Sequence, residues 1–225
     1  MIPLRDVIPS RTTPYISVTI IVLHAIAWRF EVVLPRDILP VFLQVYGVVP
    51  GDFHMPTLIT SMFLHGSWSH IIGNMWYLWI FGDNVEDRVG HGRFIAFYLL
   101  CGAVAGLGQI AAAPHSMLPT IGASGAIAGM MGAYFVLYPR SRVLTLVPIW
   151  FQIVELPATV LLGFWFLMQL FSAGAIAVTA SSHGSGGVAF AAHVVGFVSG
   201  VGGIYVFRNR QFDPWERTEP WEGKG

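Results

Sequence analysis

"TIGASGAIAGMMGAYFVLYPR", residues 120–140, decides how this chain is read. The stretch is almost wholly apolar, with Thr120 and Ser124 near its start and Arg140 at its end. Gly122, Gly125, Gly129 and Gly132 run through it. At about 100° per residue of helix they form one stripe. Lipid offers no hydrophobic reward for helix association, so small residues on one face let two membrane helices approach closely. A greasy, glycine-striped helix with one serine in its first turn is the feature to which the rest of the chain must be fitted.

The whole chain has the composition of a polytopic membrane protein. Of its 225 residues, 55% are hydrophobic and 11% charged, against about 25% charged in a soluble domain. Mean hydropathy is +0.65. Twelve basic and twelve acidic side chains give no net charge, which excludes a basic nucleic-acid surface. Cys101 is the lone cysteine, so no intrachain disulfide forms. A bilayer crossing needs about 20 mostly apolar residues. Six runs meet that need: 15–34, 68–82 with a lead-in from 57, 92–112, 121–138, 155–176 and 187–207. "MIPLRDVIPSRTTP" before the first lacks a small-residue cleavage site, so the first run reads as a retained span. The expected fold is an all-α membrane protein with six transmembrane helices. A segment at 1–14 precedes a membrane domain at 15–207, and a polar tail follows at 208–225. Arg5, Arg11, Arg88, Arg93, Arg140, Arg142, Arg208, Arg210, Arg217 and Lys224 all fall on one side of this plan. The positive-inside rule then puts both termini in the cytoplasm.

With that orientation, four polar side chains from three spans share the outer layer. Ser124 lies about 5 Å deep in span 4 and His193 about 9 Å deep in span 6. His70 and Asn74 sit in the first turns of span 2. His193 also lies on a stripe with Ala189, Gly196, Gly200 and Gly203, so close packing of that face would hold it against a neighbour. A lone serine in a membrane helix usually bonds its own i−4 carbonyl. An ionisable histidine there is costly and marks function. A serine becomes a nucleophile when a neutral imidazole can take its proton. Ser124 and His193 therefore form a candidate dyad, with no Asp or Glu at that depth. The Ser124 backbone N–H at a helix start, with His70 and Asn74 four residues apart on one face, offers donors for an oxyanion.

"GASG" (122–125), "HIIGN" (70–74) and "AHVVGFVSG" (192–200), in order on spans 2, 4 and 6, resemble the rhomboid intramembrane serine proteases. The resemblance implies a six-span rhomboid-like bundle with Ser124 as nucleophile and His193 as general base. His70 and Asn74 become oxyanion-hole side chains. "NVEDRVGHGRF" is similar to the family's connection after span 2, where Glu86 and Arg88 would be structural, and His65 would be structural near the site. The first connection, "PRDILPVFLQVYGVVPGDFHMP", lacks the Trp-Arg pair of many members but keeps the amphipathic character of a piece lying in the outer leaflet.

The resemblance further implies a serine-type endopeptidase that needs no metal or cofactor. Its partners would be transmembrane protein substrates, cut near the outer face, and the lipid bilayer. Its location would be the bacterial cytoplasmic membrane, as a multi-pass protein. Trp76, Trp79, Phe164, Trp165 and Phe166 become candidate walls for substrate entry. The alternative is an inactive rhomboid-like protein that binds membrane clients. Among the remaining polar residues, Asp83, Glu86, Asp87, Arg88 and Arg93 read as a solvated turn and Gln169 as a packing or water-facing amide. "TASSHGSGG" (179–187) has the character of a flap.

Overall fold

The computed structural model describes residues 1–148, 151–179 and 189–209, with the side chains of 175–179 left aside. Eight α-helices occur among these: α1 (Tyr15–Glu31), α2 (Leu39–Tyr46), α3 (Thr57–Thr60), α4 (Trp68–Val89), α5 (His91–Ala112), α6 (Ser124–Leu137), α7 (Ala158–Thr179) and α8 (Phe190–Phe207). Six of these helices start or end within a few residues of the apolar runs. By length and composition α5 and α8 can each cross a membrane; Ser124–Leu137 and Ala158–Gly174 are shorter apolar helices. Residues 180–187 of the expected flap and 210–225 of the tail lie outside the described residues.

The expectation of an all-α chain needs one correction. Three strands, β1 (Ile2–Asp6), β2 (Arg142–Val147) and β3 (Gln152–Pro157), form an antiparallel sheet in the order β1-β2-β3. Thr145 faces Pro3 and Val154, and Val143 faces Asp6 and Leu156. "RVLTLV" and "QIVELP" are rich in β-branched residues, which suit a pleated, half-buried surface. The sheet gives the N-terminal segment a place in the fold. The Trp76 indole N–H donates to the Pro3 carbonyl at 2.6 Å.

The glycine stripes pack face to face. A Cβ on Gly200 would overlap the Gly129 carbonyl, one on Gly196 the Gly125 carbonyl, and one on Gly132 the Phe197 carbonyl. No other residue type lets α6 and α8 approach so closely. On its other flank α6 meets α5, where a Cβ on Gly129 would come within 2.5 Å of the Cys101 Cβ. The middle of α6 is accordingly the most enclosed part of the bundle, with Ala126 to Tyr134 all buried.

The last turns of α4 depart from the expected solvated turn and agree with the structural role that the resemblance implies for Glu86 and Arg88. Glu86 is fully buried, Asn84 is 1% exposed and Arg88 is 9% exposed. Glu86 accepts from the Ile16 and Ser17 backbone N–H groups at 2.9 and 2.8 Å and from the Ser17 hydroxyl at 2.7 Å. It also meets His91 Nδ1 at 2.6 Å. A carboxylate on the free N–H groups of a helix start satisfies those donors and complements the helix dipole. These residues are the packed foot of α1, not a solvated turn.

Candidate active site

The path into Ser124 begins in the long connection after α1. Val48 and Thr120 exchange backbone hydrogen bonds at 3.0 and 2.8 Å. The Gly122 N–H donates to the Ser61 carbonyl at 2.9 Å. Gly122 has φ +116°, a conformation that favours glycine, and a Cβ there would come within 2.7 Å of the His70 ring. This one glycine both turns the chain into α6 and admits His70. Two residues later, Ser124 opens the helix, where first-turn N–H groups have no intrahelical acceptor.

Ser124 Oγ lies 2.7 Å from His193 Nε2. The close packing of α6 on α8 sets this distance, since His193 precedes Gly196 by less than one turn. His193 is 8% exposed. Its ring lies 6.0 Å from that of Trp165 and 6.3 Å from that of Phe190. Its second nitrogen, Nδ1, lies 2.8 Å from Gln169 Oε1. The structure thus brings Ser124 and His193 into direct contact and adds a third polar side chain from α7.

His70 and Asn74 stand on α4, one turn apart, beside Gly122. Asn74 is buried, and its Nδ2 has no partner among the described residues. That amide would lie 3.7 Å from a Cβ on Gly122, on the side from which α6 begins. Behind His70 the rings of His65 and His24 follow in edge contact at 5.1 and 5.5 Å. Both Glu31 carboxylate oxygens accept from the His65 backbone N–H, at 3.2 and 3.1 Å. His65 belongs to the wall that backs His70. A cavity of about 30 Å³ adjoins Ser124, lined by Ser61, Gly102, Gly106, Thr120, Gly122 and Ala192 among others. Small residues create it, and it has room for a single water.

Sequence reasoning missed Gln169 and Trp165 as neighbours of His193. The signal was present: they are four residues apart, hence on one face of α7. Without knowing which helix faces α8, that face had no direction.

The described helices form a bundle in which glycine-packed α6 and α8 seat a serine against a histidine. The Rhomboid domain family model matches residues 52–210, and the chain belongs to the rhomboid family. It is therefore an integral membrane protein. Bacillus subtilis YdcA is 31% identical over 121 residues, 51% of this chain and 58% of that protein. Rhomboid protein 1, mitochondrial, of Saccharomyces cerevisiae is 30% identical over 112 residues, 47% of this chain and 32% of that protein. Rhomboid protease GluP of Bacillus subtilis is 42% identical over 76 residues, 34% of this chain and 14% of that protein. In each case the chain spans less than two thirds of the relative's length.

Proposed function

We propose that the chain is an intramembrane serine endopeptidase that cleaves transmembrane proteins near the outer membrane face. The observation that carries this reading is the 2.7 Å contact between Ser124 Oγ and His193 Nε2. In the reaction, Nε2 takes the hydroxyl proton as Oγ attacks the scissile carbonyl carbon. The carbonyl π electrons move to oxygen, and the resulting oxyanion is held by the Ser124 N–H, Asn74 Nδ2 and His70. His193 returns the proton to the leaving amine as the C–N bond breaks, leaving an acyl-serine. A water, deprotonated by the same imidazole, hydrolyses the ester and regenerates the hydroxyl.

The unpartnered Asn74 amide supports the oxyanion role, because a buried donor without an acceptor is costly unless something else uses it. We infer six membrane spans, with both termini cytoplasmic, from the charge distribution. On that plan 1–14 is a cytoplasmic segment, 15–207 the membrane domain and 208–225 a cytoplasmic tail, in the bacterial cytoplasmic membrane. The chemistry calls for no metal or cofactor. A helical substrate hides its carbonyls in i→i−4 bonds, so it must unwind before Ser124 can attack.

The test is labelling of the purified chain by a fluorophosphonate, together with cleavage of a panel of single-span substrates. The wild-type chain labels at Ser124 and cuts, and Ser124→Ala does neither. A folded wild-type chain that neither labels nor cuts, yet retains bound membrane clients, supports a client-binding protein instead.

A further inference from the structure

We propose that Gln169 is a positioning residue of the Ser124–His193 pair: its amide oxygen holds His193 with the proton on Nδ1, which leaves the Nε2 lone pair directed at the serine hydroxyl. The inference rests on the protease reading but adds a member that the reading does not require.

A neutral imidazole has one N–H donor and one acceptor nitrogen, and neighbouring groups decide which is which. For His193 to accept the Ser124 proton, Nε2 must be the acceptor. The proton is then on Nδ1 and needs an acceptor of its own in a site where His193 is 8% exposed. Gln169 Oε1, at 2.8 Å, is that acceptor. The opposite tautomer would set the Nδ1 lone pair against a carbonyl oxygen and an N–H against Ser124, and the base would be lost. One hydrogen bond on the far side of the ring thus decides whether the near side can work.

The placement of Gln169 in its helix agrees. Its neighbours Met168 and Leu170 are 46% and 47% exposed and point out of the bundle, while Gln169 is half-buried and turned in. Trp165, one turn earlier on the same face, packs beside the same imidazole. α7 therefore supplies both a wall and an acceptor to the base. Its own seat on α8 is made by Trp165 and Phe166 against Phe197. A neutral amide orients the ring without bringing a charge into an apolar bundle, where a carboxylate is costly. The base is ready only when α7 is seated.

The tautomer can be read without turnover, from nitrogen NMR of the purified full chain labelled with ¹⁵N-histidine, with His193 assigned by difference against His193→Phe. The expected wild-type spectrum has a protonated Nδ1 and an unprotonated, acceptor-type Nε2. Gln169→Leu loses this preference, and its kcat falls by about tenfold to a thousandfold with KM little changed. Gln169→Glu, which keeps an oxygen acceptor at the same reach, retains the tautomer and most of the turnover. A wild-type His193 protonated on Nε2 overturns the proposal, as does unchanged kcat in Gln169→Leu. If Gln169→Leu does not fold, the wild-type tautomer and the Gln169→Glu turnover decide. A wild-type chain that cuts nothing defeats the protease reading, while the tautomer still reports on Gln169.

Discussion

The two ends of the bundle treat their buried side-chain amides differently. At the end that carries the N-terminus, carboxylates, hydroxyls and an amide are joined in one hydrogen-bonded network. Asn84 donates to Asp6 at 2.8 Å, the Tyr134 hydroxyl donates to Asp6 at 2.7 Å and meets Ser141 Oγ at 2.8 Å, and the Tyr138 hydroxyl donates to the Asn84 carbonyl at 3.0 Å. Asp87 accepts from the Arg11 N–H at 2.6 Å and also from Thr12, and Asp83 accepts from Ser10. At the Ser124 end, the Asn74 amide and His65 Nε2 are buried without partners among the described residues. A satisfied network stabilises; an unsatisfied donor beside a nucleophile is held ready for a charge that forms only during reaction. The difference teaches where to look for chemistry in a bundle with polar residues at both ends.

The sharpest way to break this comparison is to remove the proposed nucleophile. Ser124→Ala should abolish cleavage and fluorophosphonate labelling while costing no more than about 1 kcal/mol of stability. His193→Ala should do the same to labelling, since the hydroxyl loses its proton acceptor. Labelling of His193→Ala at the wild-type rate would make His193 structural.

Next in size is the opposite end. Glu86→Ala strands the Ile16 and Ser17 N–H groups, the Ser17 hydroxyl and His91 at once. Each buried donor left without an acceptor costs about 1–3 kcal/mol. Thermal unfolding in detergent should show that loss, with kcat per folded molecule preserved. A Glu86→Ala protein that is fully stable yet inactive would invert the assignment of the two ends.

Asn74→Ala tests the ready donor directly. The expected fall in kcat is about tenfold to a thousandfold, or about 1.4–4 kcal/mol, with KM little changed. Its melting temperature should hold or rise, because the substitution removes an unpartnered buried donor. Lost stability with intact turnover would instead make Asn74 a tie between helices.

The contrast also explains what could be read from the residues alone. Helix positions followed from apolar runs, and the glycine stripes marked a close-packing face on α6 and on α8 without fixing which helix each face meets. Ser124 and His193 stood out because a serine and a histidine are rare in such surroundings. The acidic run at the end of α4 misled where it was read as a solvated turn, because its partners at Ser10, Thr12, Ile16 and Ser17 lie about 70 residues earlier and are ordinary in sequence. The sheet was hidden for a related reason: β1 is five residues long and pairs with β2 across more than 130 residues. Gln169 was legible only as a polar residue, since its partner depends on how α7 is rotated.

The smallest global effect concerns Asp6, which joins the sheet to α4 and α6. Burial, with the nearby Asp83 charge adding to it, pushes the Asp6 carboxyl up to about 7 despite the Tyr134 hydrogen bond. The folded state therefore holds the proton more tightly than the unfolded chain, whose Asp6 keeps a value near 3.8. Stability conferred by protonated Asp6 is fully present below about pH 3.8. It declines as pH rises towards 7 and is gone above that. Each pH unit within this window is worth about 1.4 kcal/mol at most. Because Asp6 anchors only the N-terminal strand, the loss should appear as easier local opening of β1, with little change in the global melting temperature. Hydrogen exchange of the β1 amides, corrected for intrinsic rates, should show protection falling between pH 5 and 7 and level beyond about pH 8. Asp6→Asn keeps an oxygen acceptor for Asn84 and Tyr134 but cannot ionise, so its protection should be independent of pH. Equal pH dependence in both proteins would mean that a group other than Asp6 controls the strand.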